Sequence, residues 1–193
     1  MGKKMEKEKN MIQKENIIFK GEYLEGKRLN GIEYRYNNKK HMIFEHEYKN
    51  GKKIGKEKMK IFFNDKLIFE GESLNEKKNG KGIEYDLKGE KIFEGEYLND
   101  KRNGKGIEYN FDGEFEGEFR NGKKWDGIGK NKKGEIDYDI IDGYGTIKEY
   151  DKGKLIYEGE CSNGYRHGIG IEYDFITGKI KYKGRFAYGK KIE

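Results

Sequence analysis

Along most of this chain apolar and polar positions alternate with a period of two, in short runs separated by polar turns, the pattern of half-buried β-strands. In the stretch Ile92-Phe-Glu-Gly-Glu-Tyr97, Phe93, Gly95 and Tyr97 point one way while Ile92, Glu94 and Glu96 point the other. A polar segment, Leu98 to Asn103, predicts a turn. A second alternating arm, Gly104-Lys-Gly-Ile-Glu-Tyr109, completes a hairpin, and Asn110-Phe-Asp-Gly113 leads onward. A helical reading fails because Gly, Phe, Tyr and Ile all disfavour helix interiors relative to Ala, Gly most of all.

The hairpin recurs. Ile68-Phe-Glu-Gly-Glu-Ser73 matches the stretch from Ile92, as do Phe115-Glu-Gly-Glu-Phe119 and Ile156-Tyr-Glu-Gly-Glu-Cys161. Looser copies begin at Ile18, Ile43 and Lys181. The leading aromatics Phe19, Phe44, Phe69, Phe93, Phe115, Tyr157 and Tyr182 follow one another at 22 to 25 residues, except for a 42-residue gap before Tyr157. A degenerate copy beginning near Tyr138 fills that gap. Glycine normally weakens a strand, so its recurrence needs a reason: a bare α-carbon lets an aromatic ring lie against the sheet. The expected fold is all-β, an elongated antiparallel sheet of about seven to eight tandem hairpins over residues 17–193, the last incomplete. Residues 1–16, with five Lys and three Glu, read as a charged tail or a short helix able to cover the first edge strand.

Composition alone points elsewhere. Charged residues make up 40% and mean hydropathy is −1.16, values common in disordered chains. Against that, aromatics reach 14%, and 29 Gly recur in register. The single Cys161 excludes an internal disulfide framework and makes a reducing, cytoplasmic setting the expectation. No apolar run approaches the roughly 20 residues that span a bilayer. The net charge of +6 permits attraction to anionic surfaces without defining a site.

These in-register copies resemble the MORN (membrane occupation and recognition nexus) repeat, whose motif reads loosely Tyr-x-Gly-x-aromatic, then Asn-Gly-Lys-x-x-Gly-x-Gly. Tyr157 to Gly170 carries it most fully, and the copies from Phe69 and Phe93 match well. His46 replaces a motif glycine in the second copy, and residues 123–155 depart most. The resemblance implies an attachment module without catalysis or cofactor. Its implied partners are proteins, including itself, or acidic phospholipids, with membrane or cytoskeletal association. It also leaves open a portion associated with a phosphatidylinositol-phosphate kinase, or an antitoxin-like protein.

The candidate chemistry is electrostatic. A basic pair recurs at one place in successive hairpins: Lys27-Arg28, Lys52-Lys53, Lys77-Lys78, Lys101-Arg102, Lys123-Lys124 and Lys190-Lys191, with Arg166 alone in its copy. Stacking is expected to align them as a ridge for anionic lipid, each cation near a leaflet worth about 1 kcal/mol. A glutamate ladder (Glu22, Glu47, Glu72, Glu96, Glu118, Glu160) repeats with the scaffold and reads as structural, paired with lysines across strands. Gly21 to Lys27 and Gly117 to Lys123 imitate a P-loop, but Arg28 and Lys124 stand where a hydroxyl must reach magnesium. His41, His46 and His167 have no metal spacing with Cys161. Trp125, the sole tryptophan, is a candidate protein-contact anchor. Nucleic acid is not an expected partner, because the aromatics alternate with Gly at core positions.

Overall fold

The computed structural model of the chain describes residues 5–6, 17–38, 40–151 and 154–192. Apart from Met5 and Glu6, the charged segment 1–16 lies outside them. The described residues form an all-β fold of successive antiparallel hairpins, without helix. They fall into two compact units, Met1–Gly89 and Glu90–Glu193.

The first unit contains β1 (Met5–Glu6), β2 (Ile17–Leu24), β3 (Lys27–Asn37), β4 (Met42–Lys49), β5 (Lys52–Phe63), β6 (Lys66–Leu74) and β7 (Lys77–Tyr85). Each strand pairs antiparallel with the next. β1 pairs its two residues with Leu24 and Tyr23 on the outer edge of β2. The second unit contains β8 (Lys91–Leu98), β9 (Lys101–Asn110), β10 (Gly113–Arg120), β11 (Lys123–Asn131), β12 (Ile136–Ile141), β13 (Tyr144–Asp151), β14 (Lys154–Ser162), β15 (Tyr165–Tyr173), β16 (Ile180–Ala187) and β17 (Lys190–Ile192). Again neighbours in sequence are neighbours in the sheet.

The turns within hairpins are tighter than the polar segments suggested. Only two residues separate β8 from β9, Asn99 (φ 50°) and Asp100 (φ 69°). Positive φ at both central positions is what a type I′ turn requires, and that turn matches strand twist. Asn50-Gly51, Asn121-Gly122 and Asn163-Gly164 repeat the geometry with the residues that best tolerate it. Several of these turns, those that end in glycine, are also fastened to the hairpin before them. The Gly122 N–H donates to the Arg102 carbonyl at 2.8 Å, and the Asn121 N–H to Asn103 Oδ1 at 3.2 Å. Gly51 and Asn50 do the same to Leu29 O and Asn30 Oδ1.

One face of each unit is built on rings. Phe19, Phe44, Phe69, Phe93, Phe115 and Tyr157 are all buried. Phe19, Phe69, Phe93, Phe115 and Tyr157 each lie on a facing pair of glycines; Phe44, in the hairpin where His46 replaces the motif glycine, does not. Gly95 pairs with Gly106, and a Cβ added at Gly106 lies 2.6 Å from Phe93 Cζ; Gly71 and Gly82 under Phe69 repeat this. Sideways the rings touch edge to face: Phe93 contacts Tyr97 and Phe119 at centroid distances of 5.5 and 5.0 Å. Aromatic pairs prefer such geometry. The expected role of the strand glycines therefore holds, and it supplies the core that bulk composition seemed to deny.

Candidate functional site

The basic pairs do not form one ridge. Because the turns have two residues, each pair occupies the first two positions of a strand, and strand alternation sends its members to opposite faces. Lys27, Lys52, Lys77, Lys101 and Lys190 lie exposed on the face opposite the rings. Their neighbours Arg28, Lys53, Lys78, Arg102, Lys124, Arg166 and Lys191 come to the ring face.

There the second cation closes the core from above. The Arg102 guanidinium lies 4.1 Å from the Phe93 ring centroid, Lys78 Nζ 4.3 Å from Phe69, and Arg166 4.6 Å from Tyr157. Each is held by a carboxylate from the second arm of a hairpin. Glu108 binds Arg102 of its own hairpin at 2.6 Å and Lys124 of the next at 2.7 Å. Glu33 binds Arg28 and reaches Lys53 of the next hairpin at 2.7 Å. Glu172 binds Arg166 at 3.5 Å and Lys191 of the next at 3.2 Å. Burial alone raises the pKa of Glu108, but Lys124 and Arg102 outweigh it and hold the carboxyl below its usual range. The same balance, with Lys53 and Arg28, lowers Glu33. Seven of the thirteen candidate lipid-binding cations are thus placed on the ring face; each of these lies over an aromatic ring and is paired with a carboxylate.

This second carboxylate ladder escaped the sequence reading, although Gly-Ile-Glu-Tyr recurs at Glu33, Glu84, Glu108 and Glu172. The ladder that was noticed does other work. Glu72, Glu96 and Glu160 accept the backbone N–H of Lys81, Lys105 and Ile169 at 3.1 to 3.2 Å, where the strand register slips. Lysine pairing is confined to cases such as Glu72 with Lys56 at 2.6 Å.

The irregular stretch that follows Lys123 forms a corner with a buried interior and an exposed rim. β12 and β13 are joined by the turn Asp142-Gly143, and they pair only at Ile140 and Ile141. Tyr138, Ile140 and Ile147 are buried there. Tyr138 stacks on Phe115 at 6.1 Å with rings 8° apart. Lys124, its side chain 11% exposed, is enclosed by this arrangement. Its Nζ donates to Tyr138 Oη at 2.8 Å and to the Lys148 carbonyl at 3.1 Å, besides pairing with Glu108. Burial opposes its charge, yet Glu108 keeps its pKa raised.

Trp125 is the extra residue where the register slips between Glu118 and Phe119. Its ring packs on Gly143, and the Arg120 guanidinium lies 4.3 Å from its centroid. Its indole nitrogen is buried without a hydrogen-bond partner. Beside it, Lys123 Nζ lies 3.7 Å from the Tyr165 ring and donates to Gly164 O at 3.3 Å. Tyr144 approaches Asn163 at 3.5 Å. Tyr144 and Tyr165 stand where other hairpins carry the outward lysine, and they are 56% and 44% exposed. The corner thereby presents Arg120, Lys123, Trp125, Tyr144 and Tyr165 together.

Among the described residues no group of three or more His, Cys, Asp or Glu gathers as a metal site, and no helix is long and apolar enough to cross a membrane. The sequence matches no protein-family model and no curated protein.

Proposed function

We propose that this chain is a non-enzymatic scaffold that associates with protein partners, a role in keeping with its resemblance to MORN repeats. The observation that supports it best is the Trp125 corner. Trp, Tyr and Arg dominate interface hot spots, and here they stand partly exposed on backbone fastened by turn-to-turn hydrogen bonds. A contact surface held in advance loses little entropy on binding. The test is affinity capture from cells with the native chain and with Tyr144→Ala/Tyr165→Ala. A partner retained at moderate salt by the native chain is expected to be lost by the double variant. Capture unaffected by these substitutions rules out the corner as the contact.

A second reading, a peripheral tether on acidic phospholipid, is favoured by one observation: the outward lysines Lys27, Lys52, Lys77 and Lys101 are exposed. It rests on these residues and not on the full set of paired cations. Co-sedimentation with phosphoinositide-containing vesicles separates the readings. Retention at physiological salt that disappears on reversing these four charges supports the tether. Binding confined to low salt reflects generic charge and leaves the protein scaffold.

A further inference from the structure

On the ring face one trio recurs: an aromatic ring, a cation over it and a carboxylate that holds the cation. Phe93, Arg102 and Glu108 form one such trio. Tyr157, Arg166 and Glu149 form another, with Arg166 2.7 Å from the carboxylate. Exposed rings of the corner are covered in a similar way. Arg120 lies over Trp125 and pairs with Glu118 at 3.1 Å, and Lys123 lies over Tyr165. Tyr144 is the exception. It is exposed, and among the described residues no cation lies over its ring.

Carboxylates do gather around it. Ile141 and Tyr144 pair across the two-residue turn that begins with Asp142. Asp126 lies against that turn, its Oδ2 accepting the Asp142 N–H at 3.2 Å. Next along the same face come Asp139 on β12 and Thr146 on β13, and Glu160 on β14 stands across from Thr146. Asp126, Asp139, Asp142 and Glu160 are all exposed, and among the described residues none of them forms an ion pair. The cations nearby are engaged or stand at the margin. Lys148 pairs with Asp137 at 2.5 Å, and Arg120 with Glu118. Lys123 has no carboxylate, but its Nζ is drawn to the Gly164 carbonyl and the Tyr165 ring. Arg185 on β16 stands two strands beyond Glu160, across from Ile169. Setting Lys123 and Arg185 against the four acids leaves an excess of two negative charges, on a chain whose net charge is +6.

We propose that Tyr144 and this acidic rim receive an arginine side chain of a protein partner. The partner thereby completes on the surface the trio that the core completes within itself. A guanidinium suits the place better than an ammonium, because it is flat, stacks on a ring and meets a carboxylate with two parallel N–H groups. Ile141 and Ile169, 64% and 58% exposed on the same face, take apolar residues flanking that arginine. Nucleic acid and acidic lipid are repelled by the same rim. The proposal rests on the protein-scaffold reading of the corner and names the chemistry of the partner there.

A displayed library of random peptides is panned on the full chain, with counter-selection against Asp126→Asn/Asp139→Asn/Asp142→Asn/Glu160→Gln. The amides keep the side-chain shapes and the acceptors for the Asp142 and Ile169 N–H groups, so circular dichroism is expected to match the native chain. Enriched peptides are expected to carry an arginine beside apolar residues. Their affinity should fall at least about tenfold in the four-amide variant, and at least about threefold in Tyr144→Leu, which stays apolar but lacks the ring. Enriched peptides without arginine, equal binding to the native chain and both variants, or an empty selection overturns the proposal. A cellular partner lost by Tyr144→Ala/Tyr165→Ala but held by the four-amide variant keeps the scaffold reading and rules out the arginine site.

Discussion

Replacing Gly106 by Ala tests the packing of rings on paired glycines, because the sign of the effect is at stake. In an ordinary strand the change gains about 0.5–1 kcal/mol, since Gly loses more conformational freedom on folding. Here the new Cβ lies 2.6 Å from Phe93 Cζ and 3.1 Å from the Glu94 carbonyl oxygen. Carbon atoms settle at about 3.5–4.0 Å, so the ring must retreat by about 1 Å. Retreat is blocked by the Arg102 guanidinium above it and by Tyr97 and Phe119 at its sides. Overpacking of this kind destabilises by about 1–3 kcal/mol. With urea slopes of about 1–3 kcal/mol per molar, the midpoint is expected to fall by at least about 0.3 M. Combining Gly106→Ala with Phe93→Leu makes room, so the double variant should lose less than the sum of the singles. A Gly106→Ala protein as stable as the native chain, or strictly additive losses, refutes the packing argument.

Other outcomes follow from the ring-face charges. Lys124→Glu, which leaves Glu108 facing a second buried carboxylate, is expected to destabilise by about 3–5 kcal/mol or more, whereas Lys101→Glu stays within about 0.5 kcal/mol in urea titrations. Glu33, Glu108 and Glu172 titrate below the ordinary 4.5 when folded, because their cations outweigh burial. On unfolding they regain the ordinary value and take up protons first, so their stabilisation is complete above about pH 4.5 and lost as pH falls through the folded values. Urea midpoints are expected to drop in that window, with a shallower slope for Glu108→Gln. Burial, with Glu149 nearby, pushes the Cys161 thiol up to about 11. A thiol reagent at neutral pH should therefore leave it unlabelled until the protein is unfolded.

The alternation of Phe93, Gly95 and Tyr97 against Ile92, Glu94 and Glu96 was legible because a strand's faces follow directly from residue parity. The glycine role was legible too, since nothing else explains bare positions recurring beside rings. The fate of Lys101-Arg102 was not. It depends on whether the polar stretch from Leu98 to Asn103 turns over six residues or two, and only Asn99 and Asp100 at positive φ send the pair to opposite faces. The work of Glu108 needed the register that sets it across from Phe93, within reach of cations from two hairpins. The corner was hidden for a related reason. Its burial comes from Lys124 meeting the Lys148 carbonyl, a contact between β11 and β13 that no local pattern announces.

The carboxylate that holds one cation from its own hairpin and one from the next sets what can be added to or removed from such a chain. Excising residues between equivalent points of neighbouring hairpins, say from Lys77 through Asp100, removes Glu84 together with Lys78 and brings Lys101-Arg102, with Glu108 still beside Arg102, to follow Glu76. The join keeps a two-residue turn and the face to which each cation points. A cut displaced by one residue reverses every downstream side chain between the faces. A cut that takes Glu108 but spares Arg102 strands a cation over a ring. The array thus has a natural grain: it can lengthen or shorten by about two dozen residues at a time, while changes of any other size encounter charges without counterparts.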